Sequence, residues 1–235
     1  MGPVEVYRKT KKPRDLFWNS YVCRPVAAVL VSWIQGTRVT PNQVTLAALL
    51  VAAGAGALLI TWHGRMGLIA AVVLFEFSYV LDCADGMLAR WRGVQSTPGH
   101  LLDFLMDEIK AFMILTAVTV RLFVERGDAR FLLLGLTGLM CLASGIALTT
   151  FQRRPEIAGS FAEGDGISGA NHRGGLRSVV RFVEGVAKFF IHYPSYILYA
   201  AIAGKIEFYF FPYIGVNVLY FLRALSSVAW RFGRL

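Results

Sequence analysis

The chain has 235 residues, of which 56% are hydrophobic, and its mean hydropathy is +0.54. Soluble domains hold about 45–50% apolar residues, and most of the apolar segments here lack a polar face, so the composition excludes an ordinary soluble domain and favours an integral membrane protein. The net charge of +9 comes from basic residues that fall between apolar segments and form no patch interleaved with aromatic residues, which indicates cytoplasmic loops and anionic lipid instead of a nucleic-acid partner.

Residues 1–39 are predicted to form a cytoplasmic segment with a short helix. The stretch 15–35 is apolar but is interrupted by Arg24 and Pro25, and the run from Val26 to Ile34 is too short to cross a bilayer. We therefore predict an amphipathic helix in the cytoplasmic interface. Its aromatic anchors are Trp18, Tyr21 and Trp33.

Residues 40–235 are predicted to form one membrane domain of six helices. Each apolar segment has about the 20 residues needed to cross a ~30 Å hydrocarbon core. The six segments are roughly 42–62, 67–89, 100–123, 130–151, 184–203 and 208–230. The stretch "TPNQVT" opens the first span, where Thr40 is suited to cap the helix and Pro41 to begin it.

The distribution of basic residues predicts the orientation of these spans. With the N-terminus in the cytoplasm, 16 Lys and Arg residues lie in cytoplasmic segments and four lie in outside loops. Because Lys and Arg accumulate on the cytoplasmic side of membrane proteins, we expect both termini to be cytoplasmic.

Four aspartates, Asp82, Asp85, Asp103 and Asp107, lie in otherwise apolar helices. At 100° per residue, Asp82 and Asp85 share one face of the second span with Gly86 and Ala89, and Asp103 and Asp107 share one face of the third span with Gly99. A short cytoplasmic connection joins the two spans, so we expect them to pack as antiparallel neighbours with these faces opposed.

Clustered carboxylates in a membrane are costly, and divalent cations offset that cost. A site of carboxylate oxygens selects hard cations such as Mg²⁺, Mn²⁺ or Ca²⁺, which bridge phosphate oxygens during displacement at phosphorus. These residues therefore indicate phosphoryl-type transfer at the membrane surface. Intramembrane acids also serve as proton relays and ion-coupling sites, so a cation-coupled transporter is the alternative from another class.

The spacing of the motif is more specific than the cluster alone. Its eight fixed positions are Asp82, Asp85, Gly86, Ala89, Arg90, Gly99, Asp103 and Asp107. Position for position, this run resembles the signature of the CDP-alcohol phosphotransferase family, and the predicted N-terminal interface helix, the "TPNQVT" entry and the six spans resemble the family's layout. A prenyltransferase would ordinarily show more spans and would not need the Gly-x2-Ala-Arg element.

The resemblance implies an enzyme that cleaves a CDP-linked donor, transfers a phosphoryl-linked group to an alcohol and releases CMP. It implies two Mg²⁺ or Mn²⁺ ions held by the four aspartates, with Asp107 also acting as the general base. It places the cytidine beside Gly86, Ala89 and Gly99, with Arg90 ordering that pocket and Asp82 contributing to it. Asn42 and Thr45 reach the donor diphosphate or simply cap the helix. A homodimer is expected from the family.

The substrates are expected to be CDP-diacylglycerol and a polar alcohol, with a CDP-linked head group passed to a lipid alcohol as the alternative. The stretches "KPRD" and "RP" before "TPN" resemble inositol-phosphate-type members, which implies a phosphorylated polyol acceptor. Those members place a basic residue directly after the fourth aspartate; here that position is Glu108, and Lys110 follows. Lys110 is expected to contact a phosphate of the donor or acceptor, to balance the charge of the aspartates, or to pair with Glu76. Arg177 and Arg181 are expected to bind an acceptor phosphate or anionic headgroups.

Overall fold

The fold comes from a computed structural model and is described for residues 2–11, 18–154, 157 and 196–233. This part of the chain is helical and contains no β-strand, which confirms the predicted all-α class. In chain order the elements are α1 (Pro3–Thr10), a π-helical turn (Asn19–Cys23), α2 (Arg24–Ile34), α3 (Pro41–Thr61), α4 (Gly64–Arg92), α5 (Thr97–Arg126), α6 (Arg130–Gln152), α7 (Ile197–Ile202) and α8 (Glu207–Phe232).

Four of these helices, α3, α4, α6 and α8, are long and apolar enough to cross a membrane. Helix α5 has 30 residues, which is about 45 Å at 1.5 Å per residue. It is less apolar than the other four because four charged residues fall between positions 103 and 110. The predicted span 184–203 is described only from residue 196 onward, where α7 begins. The structure thus supports an all-α membrane protein, and the count of six spans stays a prediction.

Helix α3 begins where the sequence predicts, at a capping box. The Thr40 hydroxyl accepts a hydrogen bond from the Gln43 amide at 3.3 Å, and the Gln43 side-chain oxygen accepts one from the Thr40 amide at 2.9 Å. Pro41 occupies the first helical position, where its missing N–H costs nothing. This cap holds the start of α3 beside the aspartate motif.

Helix α3 packs closely against both α4 and α5, whereas α4 and α5 make few close backbone approaches to each other. Small residues of α3 allow this arrangement. A Cβ atom on Gly56 would lie 3.8 Å from Ala117 of α5 and 3.9 Å from Phe75 of α4, so the three helices meet at that glycine. Helices α4 and α5 therefore meet through the polar side chains of the motif, as their predicted pairing requires, and have little close backbone contact.

The turn between α4 and α5 brings the two halves of the motif to one end of the bundle. Gly93 ends α4 with a φ of +68°, a backbone conformation that favours glycine. Three residues later the Ser96 hydroxyl accepts a hydrogen bond from the Gly99 amide at 3.2 Å and caps α5. The chain therefore reverses direction within a few residues of the last motif position on α4.

The N-terminal helices α1 and α2 pack on each other and on α4. Helix α2 buries Ala27, Ala28 and Val31, while Tyr21 just before it and Trp33 are mostly exposed. Trp18 makes an edge contact with Tyr199, at 6.2 Å between ring centroids. Helix α1 is an element that the sequence analysis did not anticipate, because eight residues are too few to show an apolar period.

Helix α6 packs against α5 at a glycine, and this contact leads to a prediction about stability. A Cβ atom on Gly135 would lie 2.2 Å from the Thr119 side chain of α5 and 2.7 Å from the Thr119 Cβ, so rotation of Thr119 cannot relieve the overlap. We expect Gly135→Ala to lower the free energy of unfolding by about 1–3 kcal/mol. The thermal midpoint of the protein in detergent measures this loss.

Gly215→Ala on α8 is the matched control. No atom lies within 4 Å of a Cβ built on Gly215, and Ala is favoured over Gly within a helix by about 1 kcal/mol. The control should therefore leave the midpoint unchanged or raise it. Equal midpoints for the two variants would show that α5 and α6 do not pack at Gly135.

Candidate active site

Three aspartates from two helices meet at one point. Asp82 and Asp85 lie on α4 and Asp103 lies on α5, and each offers a carboxylate oxygen within 4.8 Å of the others. Asp85 is only 5% exposed, and the Asp82 side chain is 12% exposed. The predicted opposition of the two aspartate faces is therefore confirmed for these three residues.

The fourth aspartate of the motif has a different partner. The Asp107 carboxylate lies 2.7 Å from the Lys110 ammonium, which also pairs with Asp82. The Lys110 side chain is 1% exposed, whereas the Asp107 side chain is 50% exposed. Among the alternatives for Lys110, the structure favours the balancing of acidic charge, and both of its acidic partners belong to the motif.

Thr45 positions one of the clustered carboxylates. Its hydroxyl donates a hydrogen bond to Asp85, forty residues along the chain. The hydroxyl is buried on α3, one turn after the capping box, so the cap and the hydrogen bond together fix Asp85 relative to α3. Thr45 was predicted to reach the donor diphosphate or to cap the helix, and in the structure its hydroxyl has a carboxylate partner.

A cavity of about 360 Å³ opens beside Asp85 and Asp103. This volume lies within the range of about 300–1,000 Å³ typical of ligand pockets. Its lining includes the predicted Asn42, Thr45, Gly86, Ala89, Arg90 and Gly99, together with Arg92, Gln95, Ser96 and His100. The nucleotide-binding residues predicted from the motif, apart from Asp82, therefore line one cavity.

The two glycines of the motif keep this cavity open. A Cβ atom on Gly86 would lie 3.3 Å from the Arg90 guanidinium, and one on Gly99 would lie 3.1 Å from the Ser96 hydroxyl and 3.7 Å from Asn42. Any larger side chain at either position would occupy space next to the carboxylates.

Residues 38–163 match the family model described as CDP-alcohol phosphatidyltransferase, and this match covers the whole motif and the cavity. The chain belongs to this family. It is also 32% identical, over 144 residues, to a phosphatidylinositol phosphate synthase from Corynebacterium glutamicum. That alignment spans 61% of this chain and 61% of the length of the relative.

Two arginines of this family member connect the cavity to the N-terminal helices. The Arg92 guanidinium donates hydrogen bonds to the carbonyls of Ile34, Thr37 and Val39, at 3.0, 2.9 and 2.5 Å. The Arg90 Nε donates to the Thr10 carbonyl at 3.0 Å. Arg92 was missed by sequence analysis, because a basic residue at the end of α4 is explained equally well by the helix dipole.

The expected acceptor contacts, Arg177 and Arg181, lie outside the described residues. The described residues include all the other predicted site residues, of which Asp82, Asp85 and Asp103 form the carboxylate cluster.

Proposed function

We propose that the chain transfers a phosphatidyl group from a CDP-linked donor, CDP-diacylglycerol, to the hydroxyl of a polar alcohol in phospholipid biosynthesis. The observation that carries this proposal is the cavity of about 360 Å³ bordered by Asp85 and Asp103 in a chain of the CDP-alcohol phosphatidyltransferase family. A cavity of this size beside clustered carboxylates suits a nucleotide diphosphate with its metal ion.

The donor set of the cluster fits a hard divalent cation. Asp82, Asp85 and Asp103 offer only carboxylate oxygens, within 4.8 Å of one another, which is the ligand type that Mg²⁺ and Mn²⁺ prefer. When bound, such an ion stabilises the charge that develops on the donor diphosphate. A second ion that used Asp107 would compete with Lys110 for that carboxylate.

The cavity supports a site for the cytidine part of the donor. The absence of side chains at Gly86 and Gly99, and the small side chain of Ala89, leave room for a flat base next to the carboxylates. Arg90 lies against the Gly86 side of the cavity and is held by the Thr10 carbonyl. We assign these four residues, with Asp82 at the metal end, to nucleotide binding.

Asp107 is proposed as the general base. One of its oxygens pairs with Lys110, and because half of its side chain is exposed, the carboxylate is accessible to an acceptor hydroxyl. In the proposed step the acceptor oxygen bonds to the phosphorus that carries the diacylglycerol. The bond from that phosphorus to the bridging oxygen breaks, CMP leaves with the electron pair, and the hydroxyl proton passes to Asp107.

We propose six spans, with both termini and the site facing the cytoplasm. The four long apolar helices, α5 and the segment around α7 would supply them. The membrane domain would begin at residue 40, two residues after the start of the family match. Helix α2 would lie in the interface, where Tyr21 and Trp33 are exposed. Homodimerisation remains a proposal that rests on the resemblance to the family.

The Corynebacterium glutamicum relative is a phosphatidylinositol phosphate synthase, which suggests a phosphorylated polyol as the acceptor for this chain. Asn42, which lines the cavity, and Thr45, which orients Asp85, are proposed to support the diphosphate end of the donor. Arg177 and Arg181 are kept as proposed contacts for the acceptor phosphate.

The test is an assay of the purified full chain in detergent with Mn²⁺, CDP-diacylglycerol and a panel of alcohols that includes inositol phosphate, inositol and glycerol phosphate. We expect CMP release together with a new phospholipid for one polar alcohol. A parallel mixture of a CDP-linked head group and diacylglycerol tests the reverse assignment of the lipid. No CMP release in either mixture would refute the proposal and favour a transporter.

A further inference from the structure

Lys110 places a buried positive charge between two aspartates of the motif. Its ammonium pairs with Asp82 of α4 and lies 2.7 Å from Asp107, one turn earlier on α5. Its side chain is 1% exposed, so these carboxylates take the place of water around the charge. A cation this deeply buried is retained only when it is paired in this way.

We propose that the Lys110 ammonium is a built-in substitute for one of two divalent cations, so that the chain binds a single Mg²⁺ or Mn²⁺ ion. That ion would be held by Asp82, Asp85 and Asp103, and Lys110 would neutralise Asp107 and share Asp82. This inference rests on the proposed function, because the single ion is the one that the donor diphosphate would meet.

The geometry separates the four carboxylates into two groups. Asp82, Asp85 and Asp103 approach one another within 4.8 Å, and Asp107 is not part of that group. One oxygen of the Asp107 carboxylate lies 2.7 Å from the Lys110 ammonium, so a second ion would have to share this carboxylate with the ammonium. A second ion at Asp107 would therefore sit against the ammonium and would be repelled by it.

Displacing Lys110 would not make room at low cost. Because the side chain is almost fully buried, an ammonium pushed away from Asp82 and Asp107 would become an unpaired buried charge. The family resemblance implies two ions held by four aspartates, so this lysine, three positions after the fourth aspartate, gives the chain a different distribution of positive charge.

The test counts Mn²⁺ ions bound to the purified full chain in detergent, by equilibrium dialysis and by electron paramagnetic resonance. We expect one tightly bound Mn²⁺ per wild-type chain, with the spectrum of an isolated ion. We expect Lys110→Met to bind two, with the spectrum of a magnetically coupled pair, since Asp107 is then released. Lys205→Met, at an exposed lysine of the α7–α8 loop, is the matched control and should bind one.

A coupled pair of ions on the wild-type chain would overturn the inference. A single ion on Lys110→Met would also overturn it, provided that the variant elutes like the wild type in size-exclusion chromatography and is therefore folded. If Lys110→Met does not fold, the Mn²⁺ affinities of two aspartate variants test the inference instead. Asp107→Asn should keep one ion with an affinity within about threefold of wild type, and Asp103→Asn, the same change one turn away, should lose at least tenfold in affinity. Equal losses in both variants would also overturn it.

Failure of the inference and failure of the proposed function give different results. Two bound ions together with CMP release from CDP-diacylglycerol would refute only the role of Lys110. No bound Mn²⁺ and no CMP release would refute the proposed function and this inference together.

Discussion

Replacing Asp107 with Asn is expected to lower the rate of CMP release about 10²–10⁴-fold, the range that a positioned general base contributes. The amide keeps the size of the carboxylate but cannot accept the proton of the acceptor hydroxyl. Because Asp107 lies outside the group of three clustered carboxylates, the variant should still bind Mn²⁺ and the CDP-linked donor. Initial rates at saturating donor and acceptor, together with donor binding measured separately, check this result.

Asp128→Asn is the matched control for this change. Asp128 lies in the loop after α5, 21 residues from Asp107, which corresponds to about 30 Å along the helix. Its carboxylate accepts a hydrogen bond from the Arg130 amide, a contact that an Asn side chain can also make. The control should therefore release CMP at the wild-type rate, and full turnover by Asp107→Asn would refute the assignment of the base.

Replacing Asp85 with Asn should have two opposite effects. Loss of one carboxylate from the cluster should remove several kcal/mol of transition-state stabilisation supplied through the bound ion, which corresponds to about 10³-fold or more in rate. The same change should stabilise the protein when no divalent ion is added, because it removes one of three like charges within 4.8 Å of one another. The Thr45 hydroxyl can still donate to the amide oxygen, so the local packing is preserved.

Thermal midpoints with and without Mn²⁺ measure the second effect. A gain of about 1 kcal/mol raises the midpoint of a chain of this size by about 2–4 °C. Mn²⁺ should raise the midpoint of the wild-type protein, since a ligand that binds only the folded state stabilises it, and should leave that of Asp85→Asn nearly unchanged. A variant that is destabilised without Mn²⁺, or one that responds to Mn²⁺ like the wild type, would contradict a metal site at Asp85.

Local periodicity was sufficient to predict much of the site. A helix places residues three and four apart on one face, so the spacing of Asp82, Asp85 and Gly86 predicts a shared face without knowledge of the fold. The same holds for Gly99 and Asp103 on α5. The cap at Thr40 also depends only on neighbouring residues and was predicted correctly, whereas the reciprocal hydrogen bond from Gln43 was not predicted. These features follow from the sequence because their geometry is set within one or two helical turns.

Other features depend on contacts between residues far apart in the chain. The hydrogen bond from Thr45 to Asp85 and the hydrogen bonds from Arg92 to the loop before α3 join residues forty or more positions apart. The packing of α3 on both α4 and α5 likewise joins separate elements. No periodic pattern reports such contacts, because they depend on how the apolar faces of three helices pack together.

Lys110 has one feature that the sequence predicts and another that only the tertiary structure shows. Its spacing from Asp103 and Asp107 places it on the carboxylate face of α5, and that much follows from the sequence alone. Only the tertiary structure decides which charge it meets, because its partner Asp82 lies on a different helix, α4. The sequence therefore determined which residues form the charged face, and helix packing determined how those charges are paired.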